Sequence, residues 1–298
     1  MKNKLFRSGF ISIIGRPNVG KSTLLNEILK EKLAIISNKP QTTRNRILGI
    51  RNTEQSQMVF IDTPGIHKPK NRLNEIMVKT AVDTLKEVDV VAFLVEAGDS
   101  AGGRDRYIID TFLNNVRVPV VLVINKIDLV RKENLLPLIG EYNHIRKFAE
   151  IIPVSALKGD NVEHLLDVIE GYLPEGPKYY PDDIYTDQPE RFIAAEIVRE
   201  KIINRTKEEI PYSVAVAIEE FKERENGNIY ISALIYVERD SQKGIIIGRA
   251  GRMLKDIGTE AREGIEKLLG TKVFLELRVK LKKDWRSDNR VLKELGYE

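Results

Sequence analysis

The 298-residue chain contains no cysteine, three histidines and a single tryptophan. Without thiols there is no disulfide framework, no thiolate zinc site and no cysteine nucleophile, and a reducing cytoplasm suits such a composition. His67, His144 and His164 are scattered along the chain, which argues against a histidine metal cluster. Long apolar runs are missing too. Phe10–Ile14 is shorter than a signal-peptide core and leads straight into a glycine-rich loop, so it reads as a buried first strand. No stretch approaches the roughly 20 residues of a membrane span. A peripheral membrane contact stays open, although no anchor for one is visible. Neither sign of charge dominates: 48 Lys+Arg against 44 Asp+Glu leave a net +4, a mild hint of an anionic partner.

What is present is a change of pattern near the middle of the chain. The first half alternates apolar strands with helical segments. Strands are predicted at Phe10–Gly15, Gln57–Asp62, Val88–Val95, Pro119–Asn125 and Ile151–Ser155, with helices such as Ser22–Lys30 and Asn161–Tyr172 between or after them. Several of these strands are continuous β-branched runs, as parallel strands buried on both faces are. That predicts an α/β domain, doubly wound around a mostly parallel sheet, over residues 1–175. Leu173-Pro174-Glu175-Gly176-Pro177 and the charged, proline-containing stretch after it read as a linker over 176–189. Beyond it, over 190–298, a helix at Glu190–Glu209 precedes strands at Ser213–Phe221 and Ile229–Val237. Asn226-Gly227 between the strands is a hairpin signal. A glycine-punctuated helical region at Lys243–Leu269 and a strand at Lys272–Leu281 follow. The order α-β-β-α-α-β predicts a smaller α+β domain with a basic tail.

Five segments of the first half carry chemistry. Gly15-Arg16-Pro17-Asn18-Val19-Gly20-Lys21-Ser22, followed by Thr23, has the form of a phosphate-binding loop and lies between a strand and a helix. Backbone amides and the helix N-terminus face the phosphates, Lys21 reaches the β- and γ-phosphates, and Ser22 ligates Mg²⁺. Asp62-Thr63-Pro64-Gly65 follows a strand, which suits an acid near the Mg²⁺ and a Gly65 amide that senses a γ-phosphate. Asn125-Lys126-Ile127-Asp128 closes another strand. The Asp128 carboxylate can accept from N1–H and the 2-amino group of guanine, whereas adenine would leave it unpaired at about 1–3 kcal/mol per lost bond. Asn125 supports that loop and Lys126 covers the ring, while Ser155-Ala156 offers a backbone amide to the guanine carbonyl. In Gln41-Thr42-Thr43-Arg44-Asn45 a hydroxyl completes the Mg²⁺ shell when a γ-phosphate is bound, Thr43 being preferred to Thr42. Each segment alone has a bland reading: a glycine turn, an ordinary loop, a capping Asp. Their order along the chain makes them specific.

In the second half Gly248-Arg249-Ala250-Gly251 has the G-x-x-G form of an RNA clamp of the KH type, whose glycines let the RNA backbone approach. A lone G-x-x-G is often a simple turn. Residues 243–255 strengthen it, holding Lys243, Arg249, Arg252 and Lys255 and no acid. Residues 271–293 carry eight basic groups against three acidic ones, among them Arg278, Lys280, Lys282, Lys283 and Arg286 beside Trp285. An aromatic among cations suits single-stranded RNA. The competing reading is a solvated charged face.

Together these segments resemble the translation-factor-like GTPases. The loop at 15–22, the Thr-Thr-Arg at 42–44, the linker at 173–177 and Pro189-Glu190-Arg191-Phe192 are similar to the Era family more narrowly, over nearly the whole chain. The resemblance implies a Ras-like P-loop GTPase domain followed by a type II KH domain. It also implies GTP as substrate and GDP as product, Mg²⁺ as cofactor, and catalysis through Lys21, Thr43, Asn18 and Gly65. As partners it implies the 3′ end of 16S rRNA and the 30S subunit during maturation, and a monomer in the cytoplasm with peripheral contact to the cytoplasmic face of the inner membrane. Ras-like enzymes place glutamine after the glycine that matches Gly65; here the residue is Ile66, which predicts slow intrinsic hydrolysis. Relatives with asparagine at the position of Asn18 use it to hold K⁺ beside the phosphates. The rival readings are a P-loop ATPase or kinase, opposed by Asn125-Lys126-Ile127-Asp128, and a passive RNA-binding module, opposed by Lys21, Ser22, Thr43 and Asp62.

Overall fold

The computed structural model describes residues 5–37, 39–225 and 227–297. Asn226 of the hairpin signal lies outside the described residues, as do the first four of the N-terminal segment. By internal packing the chain divides into two units. One comprises residues up to Ala34, Thr43–Pro69 and Asn74–Asp187; the other comprises Ile35–Thr42, Lys70–Leu73 and the chain from Gln188 on.

In the first unit β1 (Arg7–Gly15) leads into α1 (Lys21–Leu29), β2 (Ile47–Asn52) and β3 (Ser56–Asp62). Then come α2 (Arg72–Asp83), β4 (Val90–Glu96), α3 (Gly103–Ile108), β5 (Val120–Asn125), α4 (Leu135–Ile145), β6 (Glu150–Pro153) and α5 (Val162–Tyr172). The six strands are ordered β2-β3-β1-β4-β5-β6, all parallel except β2, which runs antiparallel to β3. Every residue of β3 and β5 is buried, as an interior strand covered on both faces requires. Strand β2 escaped the sequence reading because Ile-Leu-Gly-Ile-Arg-Asn at a sheet edge neither alternates nor runs continuously apolar. The first strand has β3 on one side and β4 on the other, so its carboxyl end lies where the connections diverge, the position at which doubly wound sheets bind ligands. The segment read as a linker is hydrogen-bonded along this unit. The Gln57 side chain accepts from the Tyr179 and Tyr180 amides, Ile50 N–H donates to Tyr185 O (2.9 Å), and the Thr186 hydroxyl donates to Leu48 O (2.7 Å).

In the second unit α6 (Glu190–Arg205) and the short α7 (Ile210–Ser213) precede β7 (Ala215–Glu223) and β8 (Ile229–Val237). They are followed by α8 (Asp240–Ile247), α9 (Arg252–Leu269), β9 (Val273–Leu281) and α10 (Asn289–Glu294). The sheet order is β7-β8-β9, antiparallel and then parallel. The chain thus pairs an α/β domain with a mostly parallel sheet and an α+β domain with a separate small sheet. The first helix of this unit stops at Arg205, short of the predicted Glu209, and Pro211 opens the separate turn of α7. Residues read as a basic tail form a capped helix instead: Asp288 accepts from the amides of Arg290 and Val291 at the start of α10.

Candidate functional site

Around the carboxyl end of β1 the predicted nucleotide residues gather. Lys21 opens α1, is 6% exposed, and donates from Nζ to the carbonyls of Arg16 (2.8 Å) and Gly15 (3.3 Å). Burial pushes its ammonium down to about 8, against the opposing charge of Asp62. Ser22 Oγ lies 2.7 Å from both Asp62 Oδ2 and Thr43 Oγ1, and Thr43 Oγ1 is 3.3 Å from the same carboxylate oxygen. Asp62 Oδ1 is buried and has no hydrogen-bond partner. Two hydroxyls and a half-satisfied carboxylate therefore converge on one point, a set of oxygen donors that fits Mg²⁺ completed by phosphate oxygens and water. Thr42 is turned elsewhere, its hydroxyl donating to Lys39 O (2.7 Å), so of the two threonines only Thr43 joins the cluster.

After β3 the chain turns back onto the phosphate loop. Thr63 is fully buried and donates to Ile13 O (2.8 Å), while the Ile66 amide donates to Gly15 O (3.0 Å). Gly65 lies so close to the loop that a Cβ on it would sit 2.5 Å from the backbone nitrogen of Pro17, a place only glycine can occupy. The Ile66 side chain is 1% exposed and packs in the core, so it cannot orient water. His67 Nδ1 is 2.8 Å from Gly65 O.

The segments predicted to read the base meet across β5. Asn125 Nδ2 donates to Val19 O (2.8 Å) and its Oδ1 accepts from the Ala156 amide (2.9 Å), tying the phosphate loop to the loop after β6. Asp128 Oδ1 accepts from the Ser155 hydroxyl (2.6 Å), leaving its other lone pairs for a ligand. Lys126 has a left-handed backbone (φ 66°) and pairs with Glu96 at 2.8 Å. The amides of Ser155 and Ala156 are engaged by Asp160 O and Asn125 Oδ1 rather than standing open toward a base.

In the second unit Gly248-Arg249-Ala250-Gly251 joins α8 to α9. Gly248 has φ 73°, and a Cβ there would sit 2.6 Å from Met253 Cβ, so the clamp needs its first glycine. Arg249, Ala250 and Arg252 are exposed, and Lys243 is half-buried. Beside the clamp lies a groove of about 480 Å³ lined by Gly251, Leu254, Lys255, Gly258, Thr259, Arg262, Leu275 and Leu277. Sequence reasoning missed Leu254, Gly258, Thr259, Arg262, Leu275 and Leu277. The helical spacing of 251, 254, 258 and 262 was the signal available, masked because each residue type is ordinary for an amphipathic helix.

The predicted aromatic platform is corrected by the structure. Trp285 is 0% exposed, donates from Nε1 to Ser213 O (2.8 Å) and stacks on Tyr297 at 6.1 Å. It is a core residue, buried by its large apolar area with its one polar atom satisfied. Lys280 is exposed, but strand alternation puts it on the face of β9 opposite Leu275 and Leu277, away from the groove. Lys282 pairs with Glu294 at 3.8 Å, and Lys283 is exposed.

Residues 10–126 match the model of the 50S ribosome-binding GTPase family, and residues 209–286 match that of the KH domain. Over all 298 residues of both chains the sequence is 60% identical to GTPase Era of Geotalea uraniireducens (strain Rf4). It is 59% identical, again over the full length of both, to GTPase Era of Geobacter metallireducens (strain ATCC 53774 / DSM 7210 / GS-15). Among solved structures it resembles Era in complex with MgGDPNP and nucleotides 1506–1542 of 16S ribosomal RNA, at 44% identity and a TM-score of 0.96 over 98% of this chain and 99% of that one. An Aquifex aeolicus Era variant bound to GDP and AlF₄⁻ gives the same identity, coverage and TM-score. Full-length identity of this order, on a chain that joins a phosphate-loop unit to a KH unit, means that the protein belongs to the Era family of GTPases.

Proposed function

We propose that the protein hydrolyses GTP at the β1 site, binds the 3′ end of 16S rRNA in the α9 groove, and acts in 30S subunit maturation under control of its nucleotide state. The observation that carries the hydrolytic part is the meeting of Ser22, Thr43 and Asp62 with one carboxylate oxygen unpartnered, directly beside the buried Lys21. With Mg²⁺ held there, the ion supplies charge neutralisation for the transferring phosphoryl group. Lys21 and the amides of residues 16–22 bind and orient the phosphates, Asn125 braces the loop, and Asp128 selects guanine. The Gly65 amide would sense a γ-phosphate, and Thr43 reaches the site from the segment that precedes β2. With Ile66 buried in the core, no side chain at that position places the attacking water, so backbone groups, a partner or a monovalent ion near Asn18 take that part and intrinsic turnover is slow. Equal turnover in K⁺ and Na⁺, with Asn18→Asp as control, would remove the ion from this account.

The groove beside Gly248–Gly251 supports the RNA part: leucines on its floor and Lys255, Thr259 and Arg262 on its wall suit unstacked bases and their backbone. The solved relative with 16S nucleotides 1506–1542 supports the choice of RNA. The absence of thiols supports a cytoplasmic setting. Control by nucleotide is supported by the composition of the second unit. Residues 35–42 belong to it, with Arg199 Nη2 of α6 donating to Thr42 O and Lys39 Nζ donating to Ile203 O and Thr206 O. The next residue along the chain is Thr43 of the Mg²⁺ cluster. The test is RNA affinity measured with a non-hydrolysable GTP analogue and with GDP. Different affinities are expected; identical ones reject the switch, because a ligand that binds two states equally shifts neither.

A further inference from the structure

Arg16, the second residue of the phosphate loop, turns its guanidinium into a cleft of about 400 Å³ between the loop and the start of α3. There Nη2 donates to Asp99 Oδ2 at 2.8 Å, and Nε forms an ion pair with Asp105 Oδ1 at 2.7 Å in which the N–H is not aligned for a hydrogen bond. Asp99 stands at the solvent edge with 52% of its side chain exposed, whereas Asp105 is 1% exposed. The second oxygen of Asp105 accepts from the hydroxyl of Tyr142 at 3.0 Å, and Tyr142 is itself fully buried in α4. Burial pushes the Asp105 carboxyl up, with Arg16 opposing it, and burial together with Asp105 pushes the Tyr142 phenol up. A carboxylate and a phenol are thus placed behind the loop in a position where apolar side chains would cost less to bury.

What the acid holds explains its place. The Arg16 carbonyl is the closer of the two acceptors of Lys21 Nζ (2.8 Å), and the following residue, Pro17, is the one against which Gly65 is packed. Fixing the Arg16 side chain fixes the peptide on which both the phosphate-binding lysine and the γ-phosphate-sensing glycine rest. We propose that Asp105 is a positioning residue for nucleotide binding, locking the phosphate loop through Arg16 while Tyr142 holds the carboxylate from behind. A loop held in its receiving shape before nucleotide arrives has less freedom to lose on binding.

Titration of the full chain with fluorescent GDP and with a non-hydrolysable GTP analogue tests this. Asp105→Asn keeps the shape and the acceptor for Tyr142 but loses the charge. It should weaken both nucleotides by about tenfold, and kcat/KM should fall by about as much, mainly through KM. Arg16→Met should weaken binding comparably, and the double variant should be no weaker than the weaker-binding single, because both break one link. Asp99→Asn, at the wet end, should cost less than about threefold. A role confined to stability predicts a lower melting temperature with nucleotide affinity unchanged below it, and additive effects in the double variant; either result overturns the proposal. Should Asp105→Asn not fold, Tyr142→Phe removes only the hydroxyl. A loss of about threefold in nucleotide affinity is then expected, and unchanged affinity overturns it.

Discussion

Asp128 accepts from Ser155 on one oxygen, and if it reads the base as proposed, its selectivity is a matter of which hydrogens a purine offers. Asp128→Asn should lower GTP affinity about 100-fold or more, since two charge-assisted hydrogen bonds worth about 1.5–3 kcal/mol each are lost. The amide it introduces can donate to the 2-carbonyl of xanthine, so xanthosine triphosphate should gain affinity in the same variant. Competition against labelled GDP checks both, and a variant that loses GTP without gaining the xanthine nucleotide would place Asp128 away from the base. The two adjacent threonines should separate as cleanly. Thr43→Ala removes a hydroxyl from the proposed Mg²⁺ cluster and should slow phosphate release at saturating GTP by about tenfold or more. Thr42→Ala, which loses only a bond to Lys39 O, should stay within about twofold. Trp285 acts on stability instead. Trp285→Ala should cost about 3–5 kcal/mol in urea unfolding through the cavity it leaves. RNA affinity measured below the unfolding transition should be retained, which would distinguish a core residue from a base-stacking one.

Among the elements, α9 presents the wall of the proposed RNA groove and β9 its floor. Arg262→Ala and Lys255→Ala should each weaken single-stranded RNA binding and flatten its salt dependence by about 0.7 for every phosphate that is no longer neutralised. Lys280→Ala, on the far face of β9, should change neither quantity. Equal effects from Lys280 and Arg262 would show that the groove is not where RNA lies. The eight basic groups of residues 271–293 were legible as a charge excess, but only Arg278 and Lys280 lie in β9, both on the face opposite Leu275 and Leu277, and only the packed groove shows which face is which. The hydrogen-bonded run at 176–187 was hidden for a related reason. Prolines and charges mark an irregular segment, yet they do not say whether its backbone groups go to water or to the edge of β2.

For the molecule as a whole, the division into two units cuts across chain order: residues 35–42 and 70–73 pack with the second unit although they flank nucleotide-site segments of the first. Arg199 is 1% exposed and pairs with Glu196 while donating to Thr42 O. Arg199→Met should therefore loosen residues 35–42 and shrink the difference in RNA affinity between the GTP-analogue and GDP states, as titration of each state would report. Catalytic identity was legible without coordinates because wrapping phosphates with backbone amides demands contiguous residues, and a guanine-reading Asp must follow its strand at a set spacing. Loop chemistry of that kind is written locally. Asp105 behind Arg16, Tyr142 behind Asp105, Arg199 on Thr42 and the stripe of α9 over Leu275 and Leu277 are pairings between distant parts of the chain. Their members are common residues in unremarkable contexts, and burial alone gives them their roles, since a charge becomes costly, and so specific, only where water has been removed.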